Sequence, residues 1–251
     1  MMTMTAPSSL SDNLLDRLNT MRQSGRYQRR DSIEWGKIKR ECEQLLRSSP
    51  ADGWSALAML HAATGDVMQM ERCFQNAGLL DAHPSILANR MAAYEHLGLF
   101  SEARAIFLKI GIPGGRYFAF ALQAGLDIGS FHSVVEFAAE AKKLGLPMNQ
   151  EDLAAAAEAA SILARAGVTD DDVARHLDAA GIVLRRAGMF SAKSADIYAT
   201  NIPDIFSGVA MALNVNCDED ELSELNAALA SEEQARHISK NSVFDVVFAM
   251  A

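Results

Sequence analysis

The sequence predicts a mostly α-helical protein, an α-α superhelix of helical hairpins followed by a small C-terminal appendage. Apolar residues make up 49% of its 251 residues, whereas Gly and Pro number only 16 and 6. That composition favours many helices over a sandwich of short strands. Apolar residues also recur at helical spacing along most of the chain. Finally, Gly65 and Gly98 lie 33 residues apart between such segments, a period typical of stacked helical hairpins.

The N-terminal segment, residues 1–32, is predicted to form a mobile arm and a short helix. Residues 1–11 show no periodic apolar pattern, which is typical of a mobile terminus. Residues 13–21 (NLLDRLNTM) place three leucines at helical spacing, and the polar run RQSGRYQRRDS after them indicates a loop. An apolar stripe over residues 33–49 then predicts a helix of about four turns, ended by Pro50.

The stretch MAAYEHLGLFSEARAIF, residues 91–107, shows how one hairpin is encoded. Tyr94 late in the first helix is expected to pack on the neighbouring hairpin, and Gly98 permits a tight exit from that helix. Ala103 in the second helix lets the two helices approach closely. Phe107 lies one turn later on the same face as Ala103, so we expect its ring to fill the space between this hairpin and the next.

These residues and spacings resemble the tetratricopeptide repeat (TPR) family. The first copy spans 51–83 and matches the family at Trp54, Leu57, Ala58, Gly65, Phe74 and Ala77. The second copy spans 84–113 and matches it at Leu87, Tyr94, Gly98, Phe100, Ala103 and Phe107. The third, 115–146, keeps Phe118, Gly129 and Phe131 but has Gly125 and Val134 where an aromatic residue and Ala are usual. A fourth hairpin follows by periodicity alone, so the predicted TPR-like array covers residues 33–188.

The resemblance implies a concave groove that binds a helix or peptide of a partner protein. Carrying over the groove positions of the family gives Ser55, Met59, Ala62, Ala88, Ala92, Glu95, Arg116, Ala119 and Gln123. Neither Lys nor Asn occupies these positions, although relatives that clamp a C-terminal carboxylate use both. The resemblance therefore implies a non-enzymatic adaptor or chaperone with a small-residue, weakly polar groove.

The C-terminal segment, residues 189–251, is predicted as a separate capping domain. Residues 195–200 and 242–250 read as strands, whereas 203–214 and 218–234 read as helices, which makes a β-α-α-β unit. The alternative is that both apolar runs are helix ends that close the superhelix, because periodicity does not separate these cases in short runs.

Charge excludes one class of function and suggests another. The net charge of −9 argues against general nucleic-acid binding, which needs a surplus of basic residues on one face. Residues 191–251 carry ten acidic residues and three basic ones. One alternative function is therefore a toxin-neutralising immunity protein, whose acidic C-terminal region covers the basic active site of its partner. A third alternative is an enzyme with its site between array and appendage, which requires a pocket of converging titratable groups.

No motif in the sequence predicts catalytic, cofactor-binding or metal-binding residues. The six histidines form no HExxH pair, and the acidic runs 170–172 and 218–221 are interpreted as helix starts rather than ion sites. His61 is interpreted as a packed residue in a hairpin seam. Three separated cysteines without CxxC spacing indicate a reducing compartment, hence a cytoplasmic location. No run approaches the roughly twenty apolar residues that span a bilayer.

Overall fold

A computed structural model describes residues 14, 17–18, 20–21, 24–81, 83–111, 118–191, 195–202, 204–238 and 243–251. Of these described residues, 67% are helical, and a small three-stranded sheet lies near the C-terminus. The predicted mostly helical class is therefore confirmed. The chain divides into two compact units, residues 1–90 and 91–251.

The helices follow the predicted pairing closely. Their bounds are α1 Ile33–Ser48, α2 Pro50–Ala62, α3 Val67–Leu80, α4 Pro84–His96, α5 Phe100–Ile110, α6 Phe118–Asp127, α7 Phe131–Lys143, α8 Gln150–Arg165, α9 Asp170–Ala187 and α10 Glu219–Ala235. Gly65, Gly98, Gly129 and Gly167 follow the first helix of each pair, all with φ between 64° and 70°. Residues other than glycine rarely adopt this left-handed backbone conformation. The recurring glycines therefore end those helices, as predicted.

In the first unit, helices α1 to α3 pack in sequence order. α1 buries Ile38, Cys42 and Leu45, and its N-cap Ser32 accepts a hydrogen bond from the Trp35 amide. The loop before α1 is predicted to be part of a mobile arm. In the structure this loop is anchored to the end of α2, because the Gln28 amide donates a hydrogen bond to the carbonyl of Ala63 at 2.8 Å. The segment predicted as most mobile, residues 1–11, lies outside the described residues.

In the second unit, Phe107 sits where three helices meet. The side chain is fully buried, and its ring centroid lies 5.3 Å from that of Phe137 on α7. On α6, a methyl group added to Gly125 would come within 2.8 Å of the Phe107 ring. Phe107 therefore fills the space between α5 and the next hairpin, α6–α7.

Helix α9 fastens the N-terminal ends of two earlier helices. Asp178 accepts a hydrogen bond from the backbone amide of Ser101, at the start of α5, at 3.1 Å. The buried Asp170 accepts from the amides of His132 and Ser133, at the start of α7, both at 3.0 Å. Both carboxylates satisfy amides that have no partner inside their own helices.

The C-terminal segment is a β-β-α-β unit in which β1 is Asp196–Ile202, β2 is Phe206–Val215 and β3 is Phe244–Met250. β2 lies in the centre, antiparallel to β1 and parallel to β3, with α10 as the connection between β2 and β3. The predicted strands at both ends are confirmed. The alternative in which both apolar runs are helix ends is wrong.

The predicted helix over residues 203–214 is also wrong, because its residues from Phe206 onward belong to strand β2. Residues 208–209 and 211–215 are buried, so this central strand is covered on both faces for most of its length. A strand covered on both faces shows a continuous apolar run instead of an alternating pattern, and such a run resembles a buried helix.

The sheet and the neighbouring helices share one core. α9 packs on α10 and β3, while α8 packs on β1 and β2. Met189 and Phe190, just after α9, are fully buried. The predicted division at residue 188 therefore falls inside the second compact unit.

Candidate functional site

Four residues of the predicted groove belong to the hydrophobic core. Ser55, Met59, Ala62 and Ala88 are at most 5% exposed. α2 buries residues on nearly every face, and the Ser55 hydroxyl accepts a hydrogen bond from the Asn89 side chain at 3.1 Å. These small side chains let helices approach each other, so in this structure they do not line an accessible surface.

The remaining groove positions have different surroundings. Ala92 and Glu95 on α4 are half-buried, whereas Ala119 and Gln123 on α6 are exposed. Arg116 lies outside the described residues. The part of the predicted groove that is accessible in the described residues is therefore centred on α6.

Ala119 and Gln123 line a cleft of about 400 Å³. Helices α6 and α7, the loop after α7 and the first turn of α8 form its walls. The lining residues are Ala119, Leu122, Gln123, Leu126, Val134, Pro147, Met148, Asn149 and Leu153. We refer to it as the α6–α8 cleft.

Close packing between α6 and α7 builds the floor of this cleft. A methyl group on Gly125 would lie 2.6 Å from Val134, so the absence of a side chain at Gly125 lets the helices approach. Leu122, Leu126 and Val134 are at most 8% exposed. At the rim, the Asn149 side chain accepts a hydrogen bond from the Glu151 amide at 3.1 Å and so fixes the start of α8.

Among the described residues, the lining of the cleft is apolar, with two amides and no charged side chain. Phe120 on α6 and Leu144 after α7 are also 42% and 62% exposed. Burying one large apolar side chain stabilises a complex by roughly 1.5–3 kcal/mol. The arrangement is therefore suited to holding apolar side chains, while Gln123 offers hydrogen bonds that orient a peptide.

A second cavity, of about 500 Å³, lies at one end of the sheet, and we refer to it as the sheet-end cavity. It is lined by His176, Tyr198, Thr200, Phe206, Gly208, Val209, Ala210, Glu233, Val243, Phe244 and Asp245. His176 and Glu233 are each 6% exposed, and His176 Nδ1 lies 2.7 Å from Glu233 Oε1. The His176 ring also meets Phe244 edge-on, with centroids 5.5 Å apart.

Sequence reasoning missed this histidine–glutamate pair. His176 comes from α9 and Glu233 from α10, 57 positions later. Neither residue stands in a recognisable motif. Only the packing of α9 on α10 brings them together.

Both acidic runs are helix starts, as predicted. Thr169 caps α9 in a capping box with Asp172, and Asp218 caps α10 by accepting a hydrogen bond from the Glu221 amide. Hydrogen bonds from the Thr169 amide and hydroxyl lower the pKa of Asp172. Carboxylates at these positions are stabilised by helix N-termini without any ion.

The cysteines and histidines show no arrangement typical of a metal site. Among the described residues, no group of three or more His, Cys, Asp or Glu side chains could hold a metal ion. Burial raises the pKa of Cys42 to about 12 and also raises that of Cys73. His61 is half-buried beside the α2–α3 turn, where burial lowers its pKa.

No protein-family model, curated protein or solved structure matches this chain. Within the described part of the chain, no helix is both long and apolar enough to span a bilayer. The case for a function therefore rests on the α6–α8 cleft and the sheet-end cavity.

Proposed function

We propose that this protein is a non-enzymatic protein-interaction module, an adaptor or chaperone built on TPR-like hairpins. It holds an apolar helix or extended peptide of a partner protein in the α6–α8 cleft. The observation that carries this proposal is the cleft itself, because its mostly apolar lining includes Ala119 and Gln123, two residues that the family resemblance assigns to a partner-binding groove.

Burial of the repeat positions supports the TPR-like part of the proposal. In the two clear copies, the buried pattern residues are Leu57, Ala58, Phe74, Ala77, Tyr94, Phe100, Ala103 and Phe107. α9 differs from a regular repeat, since hairpins in a solenoid contact their neighbours, whereas α9 packs on α5 of the second copy. We therefore place partner binding in the third copy, on the face that α6 presents to the cleft.

An arginine at Ala119 tests this proposal. Ala119→Arg would place a long charged side chain at the mouth of the cleft, at an exposed helical position that tolerates it. Ala139→Arg is the matched control, because Ala139 is an exposed alanine on α7 outside the cleft lining. Partners captured from the native cell are identified by mass spectrometry, and their affinities for the purified variants are then measured by calorimetry.

We expect a genuine cleft partner to lose roughly tenfold or more in affinity with Ala119→Arg, since a charge would enter an apolar site. The same partner should bind Ala139→Arg with parental affinity. If every captured partner binds Ala119→Arg as it binds the parent, with circular dichroism showing the variant folded, the cleft is not the binding surface.

A second candidate function is an inhibitor that uses its acidic C-terminal region. Glu219 and Asp220, in the first turn of α10, are exposed and available to a basic partner. Reversal of Asp218, Glu219, Asp220 and Glu221 to Lys should then weaken binding. Raising the salt concentration should weaken parental binding too, since exposed charges are screened over about 8 Å at physiological ionic strength. Binding that is insensitive to both changes contradicts the inhibitor function.

The enzyme alternative requires converging titratable groups between the helices and the C-terminal segment. The sheet-end cavity contains such groups in His176, Glu233 and Asp245. We interpret His176 and Glu233 as a buried hydrogen-bonded pair that joins α9 to α10.

A further inference from the structure

We propose that strand β1 pairs with β1 of a second copy of this chain, antiparallel to it and about a two-fold axis at Thr200. The two three-stranded sheets then form one continuous six-stranded sheet. This interface lies in the C-terminal segment and does not depend on the function proposed for the α6–α8 cleft.

One of the two edge strands of the sheet is closed by side chains. β2 is central, so β1 and β3 are the edges. On β3, the Asn226 side chain of α10 donates a hydrogen bond to the carbonyl of Phe248 at 3.1 Å and accepts one from its amide at 2.9 Å. The Asp245 carboxylate accepts a hydrogen bond from the amide of Val246 at 3.0 Å. These side chains occupy backbone groups that a further strand would need, so β3 is a closed edge.

The other edge strand, β1, has the composition and exposure of an open edge. Its residues Asp196–Ile202 pair one to one with β2, without a bulge. Residues 197–202 (IYATNI) include no charged residue and no proline, which commonly protect edge strands. Thr200, Asn201 and Ile202 are all exposed, although successive side chains point to opposite faces of a sheet. This end of β1 is therefore covered on neither face.

The sequence of β1 is complementary to itself. With Thr200 on the axis, Tyr198 of each copy lies opposite Ile202 of the other copy. These two side chains are 57% and 46% exposed, and cross-strand pairs of an aromatic and a β-branched residue stabilise sheets. Ile202 already lies beside Phe206 of β2. The pairing therefore extends an apolar row from Phe206 and Ile202 of one copy to Tyr198 of the other.

A second copy is the occupant of β1 that these observations favour. Antiparallel pairing about a two-fold axis uses the same patch on both copies and makes each contact twice. Because β3 is closed, each chain offers one open edge of this sheet, so association stops at two copies. One short strand from each copy covers less surface than the roughly 1,200–2,000 Å² of a standard interface. The dimer is therefore weak and reversible.

Sedimentation velocity of the full chain over a range of concentrations tests the dimer. We expect reversible dimerisation with a dissociation constant of roughly 1–100 μM, the affinity of a small interface. A protein that stays monomeric at about 500 μM would overturn the proposal, and a strand of a different protein would be the remaining occupant of β1. Ala119→Arg should leave dimerisation unchanged, so failure of this interface is distinguishable from failure of the cleft.

Lysine substitutions separate pairing of the β1 edge from packing of the exposed sheet face. Ile202→Lys places a charge on the open edge and should weaken dimerisation roughly tenfold or more. Val247→Lys is the matched control, since Val247 is 36% exposed and lies on the same face but on the closed strand β3. The control should dimerise with parental affinity. Equal weakening by both variants, with circular dichroism showing both folded, would overturn the proposal, because face-to-face packing would then hold the dimer.

Disulfide trapping tests the position of the axis. In a Cys217→Ser background, which removes the half-exposed native thiol, Thr200→Cys places the thiols of two copies opposite each other. Directly opposed residues of antiparallel strands have Cα atoms about 4.5–5.5 Å apart, a distance that disulfides span. Oxidation with copper phenanthroline should therefore give a covalent dimer of Thr200→Cys but not of Val247→Cys. Equal crosslinking of these two variants would overturn the two-fold axis at Thr200 and the proposal with it.

Discussion

Gly98 and Gly181 meet backbone to backbone. A methyl group on Gly98 would lie 2.4 Å from the Gly181 Cα atom, and one on Gly181 would lie 1.8 Å from the Gly98 carbonyl oxygen. One turn further along α9, Arg185 Nη1 donates to the carbonyls of Leu97 and Gly98, at 2.8 and 2.6 Å. The turn between α4 and α5 is thereby held against the middle of α9.

Gly181→Ala should destabilise the protein, although alanine is ordinarily the better residue inside a helix. The added methyl group has to displace the backbone of the Gly98 turn, and overpacking of this kind costs about 1–3 kcal/mol or more. Gly78→Ala is the matched control, since Gly78 is helical and has open space around it. The control should be stabilised by about 0.5–1 kcal/mol. Chemical denaturation gives the free energy of unfolding of both variants. Equal free energies of unfolding for Gly181→Ala and Gly78→Ala would contradict the contact between Gly98 and Gly181.

Phe107→Ala should remove a fully buried ring from the junction of α5, α6 and α7. Truncation of a buried Phe costs about 3–5 kcal/mol, because transfer and cavity terms add. Leu108→Ala is the control on the same helix, since Leu108 is 41% exposed, and it should cost well under half as much. A melting temperature of Phe107→Ala within a degree or two of that of the parent protein would show that the Phe107 ring is not buried between these helices.

Removing the capping hydroxyl of α9 should raise the pKa of Asp172 toward its ordinary value of 3.8, because hydrogen bonds from Thr169 hold it below that value. Thr169→Ala should also cost about 1 kcal/mol as a lost helix cap. Ser161→Ala, an exposed mid-helix change on α8, should leave both quantities unaltered. Carboxyl NMR titration measures the pKa, and an unchanged Asp172 titration would contradict the capping box.

The same interaction has a defined pH dependence. The folded pKa of Asp172 is lowered, so the unfolded state binds the proton more readily. Its stabilising contribution is therefore present above about pH 4, the ordinary range of an aspartate, and is lost as the pH falls through the lower folded pKa. The stability difference between the parent and Thr169→Ala should accordingly narrow in acid. A difference that stays constant to low pH would show that the hydroxyl acts without the carboxylate.

Thiol labelling should distinguish the three cysteines. Burial raises the pKa of Cys42 to about 12 and raises that of Cys73, so neither forms the reactive thiolate readily near neutral pH. Cys217 is half-exposed. Iodoacetamide at pH 8 should therefore modify Cys217 first in the folded protein, whereas all three should react in guanidinium. Peptide mass spectrometry gives the order, and native labelling of Cys42 at the rate of Cys217 would contradict its burial.

The features that the sequence predicted correctly are those that depend on neighbours along the chain. They are the helices themselves, the left-handed glycines from Gly65 to Gly167 and the acidic helix starts. Each of these depends on interactions between residues about one helical turn apart. A residue pattern records such interactions because the period of the helix determines which side chains share a face. The identity of Phe107 as a buried residue followed from the same periodicity.

Tertiary packing decided the rest. Residues 206–215 form a strand because β1 and β3 flank them, although the run itself is compatible with a buried helix. Ser55 and Met59 are core residues rather than groove residues because neighbouring elements cover them. The pairing of His176 with Glu233 and the contact of Gly98 with Gly181 join positions far apart in the chain, and burial of apolar surface, which is not directional, leaves no local pattern to indicate which distant segments will meet.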